Sequence, residues 1–292
     1  MLKVLETGPH ALFQDLGRNG YSGLGVGPSG AFDRGSARRA NRMVGNDDNA
    51  PVVEILFGGF QVQAETALRL VFTGTDADVF VDKRRMRTHT VLDVRAGQTV
   101  RLEVGTGLRA YLAVAGGFDI SPVLGSVATD TLSGIGPAPI AANDCLPTKA
   151  HQDQSDVHSP SQPPHAKHLP APFVPQQREV LDVVVGPRED WFEDVSELFN
   201  QQFEVSAESD RVGVNLQAAR PLRRAADGEL ASEGALRGAL QVPPSGHPVA
   251  FGADHPITGG YPVIGVLTTE SVDKMAQLSP GTIVTFRGVD KH

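Results

Sequence analysis

The chain of 292 residues has one cysteine, Cys145. A single thiol excludes an internal disulfide framework and any cysteine-rich zinc or iron–sulfur site, and it fits a reducing cytoplasm. Asp144 stands beside Cys145 but no histidine is near it in sequence, which argues against a nucleophilic thiol. Aromatic residues are only 6% of the chain, and its six lysines are scattered singly, none in the Met-Lys-Met hairpin of a biotin carrier. No covalent biotin is expected. Positive charge is in deficit, with 26 Lys and Arg against 34 Asp and Glu and a net charge of −8. Neither nucleic acid nor an anionic membrane is an expected partner. No apolar run approaches the ~18 residues of a membrane span, and the first nine residues carry no apolar core of signal-peptide length. A soluble, cytoplasmic protein is expected. Several motifs are also missing. There is no G-x-x-x-x-G-K-[ST] loop, no G-x-G-x-x-G fingerprint opening a helix in a βαβ unit, and no G-x-S-x-G or serine–lysine amidase signature.

What is abundant is glycine and proline, 32 and 21 residues. With hydrophobic residues at 40% and charged residues at 21%, this describes a globular chain of short strands joined by tight turns. The length suits one large domain or two of ordinary size. The sharpest compositional break runs from Pro147 to Gln177, with seven prolines, four histidines and few apolar side chains. Such a stretch buries too little to offset its ordering entropy, so 147–177 is expected to link a domain at 1–146 to another at 178–292. His165 and His168 could capture a metal there, but solvated histidines in a proline-rich tract are more often incidental, and no metal site is expected.

Within the first domain, Leu68–Phe72 and Arg109–Ala115 read as strands. Val91–Val94 and Thr99–Val104 flank Ala96-Gly97-Gln98 and read as a β-hairpin. One helix is expected after Asp33, which can cap it; Ala37, Ala40, Asn41 and Val44 share a face, and Gly45-Asn46 supplies a left-handed stop. In the second, Val180–Val185, Pro248–Phe251, Val263–Thr268 and Thr282–Arg287 read as strands. Helices are expected from about Arg188, with Trp191, Val195, Leu198 and Phe199 on one side, and from Glu270 to Gln277. Gly97-x-x-Val100-x-Leu102 recurs as Gly281-x-x-Val284-x-Phe286, a weak sign of duplication. The fold class expected is mainly β, two β-barrels with a few short helices.

Three polar constellations sit where strands give way to loops. The first combines Gln14, Asp15, Arg18 and Ser29 with six glycines between Gly17 and Gly30. Arg18 could grip a carboxylate or phosphate with a planar fork; alternatively, Asp15 and Arg18 pair and pin a turn. The second, Ser209-Asp210-Arg211-Val212-Gly213, is a turn by default and an anion site at best. The third runs from Ala253 to Pro262. Asp254 could orient or deprotonate a substrate, and Thr258 with the Gly259-Gly260 amides could hold a developing oxyanion near Tyr261. A rigid rim loop is the alternative.

These motifs resemble one family throughout. They include Gln14-Asp15-x-Gly17-Arg18-x-Gly20, Gly25-Val26-x-x-Ser29-Gly30-x-x-Asp33, Ala40-Asn41-x-x-Val44-Gly45-Asn46 with Glu54, and Tyr111 to Gly117. Gly125-Ser126, Ser209-Asp210-Arg211-x-Gly213, Gln241-Val242-Pro243 and Asp254 to Pro262 complete the match. The family is that of the C-type 5-oxoprolinase subunit, allophanate hydrolase subunit 2, or carboxyltransferase subdomains A and B; it also takes in the antagonist of a sporulation-kinase inhibitor and part of urea carboxylase. The resemblance implies tandem cyclophilin-like barrels working with a sister barrel subunit, of the B-type 5-oxoprolinase or allophanate hydrolase subunit 1 kind, and a third subunit. It implies ATP-coupled opening of the 5-oxoproline lactam to glutamate, with ATP a cofactor of the assembly. The alternatives are a carboxyltransferase-like subunit acting on allophanate or a urea-like amide, and a non-catalytic regulatory module. From the side-chain chemistry, Asp254, Thr258 and Tyr261 are expected to be catalytic, and Gln14, Asp15, Arg18, Ser29 and Arg211 substrate-binding. Gln14, Asp15, Arg18, Asp254, Thr258 and Tyr261 are expected to build one pocket, the alternative being a separate site in each barrel. Val127-Ala128 stand where members usually carry Arg-Ser, and Asn215 replaces a common arginine, which bears on the anion accepted.

Overall fold

The computed structural model describes residues 1–149, 172–225, 228 and 230–290. The chain is mainly β, and its contacts divide it into two compact units. The first comprises Met1–Arg18, Asp33–Thr129 and Gly134–Val174; the second comprises Asn19–Phe32, Asp130–Ser133 and Pro175–His292. Two stretches that precede residue 147 in sequence, 19–32 and 130–133, therefore pack with the second unit. Most of the proline- and histidine-rich tract, with His165 and His168, lies outside the described residues.

In the first unit, the strands are β1 (Leu2–Thr7), β2 (His10–Gln14), β3 (Val52–Leu56), β4 (Phe60–Ala64), β5 (Leu68–Thr73) and β6 (Asp78–Val81). There follow β7 (Arg84–Arg87), β8 (Leu92–Val94), β9 (Thr99–Leu102), β10 (Arg109–Val114) and β11 (Cys145–Leu146), with helix α1 at Arg34–Met43. They form a six-stranded sheet, β11-β1-β4-β9-β6-β7, and a five-stranded sheet, β2-β3-β10-β5-β8. Both sheets feed one core. Val4, Phe60, Val62, Val100 and Leu102 come from the first, and Ile55, Leu70, Phe72 and Leu112 from the second. In β4 the period of two is plain, with Phe60, Val62 and Ala64 buried and Gln61 and Gln63 turned partly out.

β10 has no such alternation, because all six of its residues are buried. One face meets the core and α1 packs against the strand from the other side. The helix forms as its sequence requires. The Asp33 carboxylate accepts from Ser36 N at 2.8 Å, and Ala37, Ala40, Asn41 and Met43 face inward. Gly45, at φ +78°, ends it. Two asparagines then brace helix to sheet: Asn41 Nδ2 donates to Ala50 O, and Asn46 bridges Val114 O and Gly116 N.

The expected hairpin at 91–104 does not form. β8 pairs with β5 in one sheet, while β9 pairs with β4 and β6 in the other. Gly97, at φ +85°, turns a corner between the sheets, held by Gly97 N on Ala64 O and Ala64 N on Gln98 O. Both strands have one buried side, and local pattern cannot say whether two such strands pair with each other or with distant ones.

The second unit holds β12 (Arg178–Val185), β13 (Phe203–Val205), β14 (Gly213–Ala218), β15 (Glu233–Gly234) and β16 (Ala239–Gln241). It continues with β17 (Val249–Phe251), β18 (Thr258–Gly259), β19 (Val263–Leu267), α2 (Thr269–Met275) and β20 (Ile283–Gly288). Seven strands close a barrel in the order β12-β19-β16-β17-β14-β13-β20, sealed by a parallel β12–β20 pair; β15 and β18 form a separate ribbon. Phe203 and Phe286 meet edge to face at 5.0 Å inside. The helix expected from Arg188 is replaced by two single 3-10 turns, Glu189–Trp191 and Val195–Leu198. Leu198 is buried, and Trp191, Val195 and Phe199 pack on the core as their spacing suggests. The Asp194 carboxylate accepts from Ser196 N, which restarts the chain in mid-segment and prevents a continuous helix. The glycine echo holds locally: Gly97 and Gly281 have φ +85° and +84°, and each leads into a strand with alternate residues buried. Among the described residues no helix is long and apolar enough to cross a membrane.

Candidate functional site

Most of the polar residues singled out in the sequence gather into two clusters, one in each unit, and Thr258 and Tyr261 stand outside both. In the first unit, β2 is the outer strand of its sheet, and residues 126–129 run beside it, with Thr129 N on Phe13 O. Beyond the strand the chain turns at Gly17, at φ +92°. Asp15 pins this turn from within. Its Oδ1 accepts from Gly17 N at 2.8 Å and Ser126 Oγ at 2.6 Å, and its Oδ2 from Val127 N at 2.9 Å. Asp15 is therefore spent on backbone and serine, and makes no ion pair with Arg18.

Arg18 is 2% exposed. Its Nη2 donates to Ala128 O, while Nε and Nη1 are buried without a hydrogen-bond partner. Beside it, Gln14 is fully buried, donates Nε2 to Thr129 O at 2.9 Å, and leaves Oε1 without a partner. The two acceptors are consecutive backbone carbonyls, which brings the guanidinium and the amide head to neighbouring peptide units. Gly136 admits this arrangement, since a Cβ there would stand 2.2 Å from Ala128 O. A buried guanidinium with free donors and no carboxylate costs several kcal/mol. Sequence pattern does not single out Ser126, Ala128 and Thr129 as site residues; the Gly125-Ser126 pair is their only signal. At Val127 it is the backbone N–H that is used, whatever side chain the position carries.

In the second unit, Asp254 is the hub. Arg211 donates Nε to Oδ2 at 2.8 Å and Nη2 to Oδ1 at 3.0 Å. Ser29 Oγ donates to Oδ1 at 2.6 Å, and Thr131 donates both its N–H and its hydroxyl to Oδ2, at 2.9 and 2.8 Å. Arg211 also reaches Gly30 O at 2.7 Å. Burial pushes the Asp254 carboxyl up, but the Arg211 charge and these hydrogen bonds outweigh it and hold the group below the usual carboxylate range. A carboxylate so supplied with donors stays ionised and positions its neighbours; of the two roles open to Asp254, the geometry favours orientation over proton uptake. Ser29 is buried at φ +51°, a strained conformation for a residue with a side chain. The Ser209–Gly213 turn is pinned by Asp210, which accepts from Val212 N and Gly213 N, and it delivers Arg211 inward rather than to solvent. Thr131 belongs to no motif, and no sequence signal points to it.

His255, next in the chain, is 5% exposed and stacks on Phe251. Its Nδ1 lies 2.7 Å from Pro256 O. A carbonyl only accepts, so Nδ1 carries the proton and Nε2 keeps its lone pair. Burial first, with the Arg237 charge, lowers its pKa and keeps the ring neutral at pH 7. Thr258 and Tyr261 lie apart from this hub. Both are exposed, Tyr261 by 46%, and neither hydrogen-bonds Asp254. Tyr261 instead lines a cavity of about 60 Å3 with Gly259, Gln241, Glu233 and Leu236. A Cβ at Gly259 would stand 2.3 Å from Gln241 Nε2, the end of a flexible side chain that would have to swing aside. The loop from Asp254 to Tyr261 thus divides between a buried ionic hub and an exposed rim.

Residues 24–288 match the family model described as carboxyltransferase domain, subdomain A and B. The chain belongs to this carboxyltransferase family. It is 34% identical to the C-type 5-oxoprolinase subunit of Escherichia coli, over 98% of this chain and 90% of that protein. It is 29% identical to the urea amidolyase of Saccharomyces cerevisiae over 98% of this chain, but that match spans only 16% of the yeast protein. Among solved structures, TTHA0988 superposes with a TM-score of 0.82 at 32% identity, covering 98% of this chain and 55% of the other. The Kluyveromyces lactis urea amidolyase gives a TM-score of 0.88 at 26% identity, covering 98% of this chain and 18% of the enzyme. The chain thus corresponds to almost all of a bacterial subunit and to a small part of the multidomain fungal enzymes.

Proposed function

We propose that this carboxyltransferase-family chain is the C-type subunit of an ATP-dependent 5-oxoprolinase, which opens the 5-oxoproline lactam to glutamate and is inactive without its sister subunits. The observation that carries the reading is the match to a C-type 5-oxoprolinase subunit over nearly the whole length of both proteins. The chemistry is consistent with it. A lactam carbonyl is a poor electrophile, and phosphorylating its oxygen makes it open to water. ATP supplies that activation in the assembly. This chain has no Walker motif, no lysine between Lys3 and Lys83, and in Arg18 a single buried charge, which matches a carboxylate better than a triphosphate. No ATP step is assigned to its residues.

The second reading is a carboxyltransferase-like subunit acting on a urea-type amide, favoured by the likeness to urea amidolyase. Co-expression with the sister subunits, followed by assay of ATP hydrolysis with 5-oxoproline, urea or allophanate, separates the two. The first reading expects a stable complex whose hydrolysis depends on 5-oxoproline. Dependence on urea or allophanate alone favours the second, and a stable complex with no turnover favours a regulatory role.

A further inference from the structure

We infer that the Gln14–Arg18 cluster is a recognition site for a carboxylate that carries an amide N–H on the neighbouring position. The inference deepens the 5-oxoprolinase reading and rests on it only for the identity of the acid. Three features carry it. First, Arg18 is buried, makes no ion pair among the described residues, and keeps Nε and Nη1 without a hydrogen-bond partner. Its Nη2 has two hydrogens; with one on Ala128 O, the other completes a fork with Nε or with Nη1. A planar fork of that kind fits two carboxylate oxygens.

Second, the orientation of Gln14 is fixed. Thr129 O can only accept, so the Gln14 atom facing it is the NH2 group, and the atom left free is the acceptor Oε1. The cluster therefore offers donors at one point and an acceptor at the next. A simple inorganic anion satisfies Arg18 but brings no N–H to Gln14 Oε1. Third, the frame is rigid. Asp15 is held by three hydrogen bonds, and the Ala128–Thr129 peptide is clasped by Thr129 Oγ1 on Pro137 O and by the close approach of Gly136. Preorganised groups of this kind favour one ligand pattern over others. In 5-oxoproline, the lactam N–H and the carboxylate are borne on adjacent atoms, which is the pattern the cluster asks for.

The test is titration calorimetry on the full chain with 5-oxoproline, its N-methyl derivative, its methyl ester and N-acetylglycine. On the wild type, N-methylation and esterification should each weaken binding about tenfold or more, as expected for one lost hydrogen bond and one lost ionic fork. Gln14→Met should abolish only the penalty for N-methylation, and Arg18→Lys should reduce that for esterification. Circular dichroism and the thermal midpoint check that both variants fold. A wild-type chain that binds none of these acids, or all of them alike, would overturn the inference, as would variants that keep both penalties. Binding of N-acetylglycine but not 5-oxoproline, weakened in both variants, would uphold the site and sink the 5-oxoprolinase reading. Conversely, 5-oxoproline-dependent ATP hydrolysis by the assembly, with KM unchanged in both variants, would uphold that reading and remove the site.

Discussion

Two arginines, from the first and second polar motifs, show how burial decides the meaning of a charge. Arg211 is buried against a carboxylate that takes both arms of its fork; Arg18 is buried against backbone alone. The first is a structural pair and the second a charge suited to a ligand. Breaking a buried pair leaves an uncompensated charge, so Asp254→Asn should cost about 3–5 kcal/mol in urea denaturation. The sequence alone suggests that Asp254 orients or deprotonates a substrate; the geometry adds a structural role. The pH dependence follows the same logic. Asp254 titrates below its unfolded value, so its contribution is complete above the ordinary carboxylate range and is lost as pH falls through the folded value. His89 is lowered to about 4 by burial and the charge of Arg39, against smaller opposing effects from Asp76 and the Thr75 backbone. Below about pH 6.5 the unfolded chain takes up a proton that folded His89 refuses, so stability declines down to about pH 4. His89→Asn should flatten chemical-denaturation stability across that interval; asparagine tolerates the φ of +62° at this position.

At the scale of the element, strands and helices with a strong local signal are legible. Asp33, the inward alanines and Gly45 specify α1 without help from the rest of the molecule. The unbroken apolar run at residues 110–114 identifies β10 as a central strand. Where pairing is non-local, the sequence is silent. Nothing in Thr99–Leu102 says that its partners are β4 and β6 rather than the strand just before it. The candidate site divides in the same way. Gln14, Asp15 and Arg18 are legible as a motif, but whether Asp15 pairs with Arg18 depends on Ser126 and Val127, which lie more than 100 residues away in sequence. Thr131 is placed by topology alone. One glycine tests the frame directly. Gly136→Ala would set a Cβ 2.2 Å from Ala128 O at φ +114°. It should lower the thermal midpoint by several degrees, a cost of about 1–3 kcal/mol, and weaken 5-oxoproline binding with it.

At the scale of the whole molecule, the family likeness and the geometry point the same way. The match extends over nearly the entire length of a bacterial C-type 5-oxoprolinase subunit, and the polar side chains of this chain gather in two separate clusters. The first unit offers an acceptor and a fork for an acid, and the second an ionic hub beside a neutral histidine. The sequence carries no Walker-type loop. On the proposed reading, the chain recognises an acid and its partners carry out the activation. The most direct measurement is an omission experiment, in which glutamate release is followed for the sister subunits with ATP and 5-oxoproline, with and without this chain. The account predicts that glutamate and phosphate form only when the chain is added, and that addition of Arg18→Lys restores turnover with a raised KM. Full glutamate release by the sister subunits alone, unchanged when the chain is added, would contradict it.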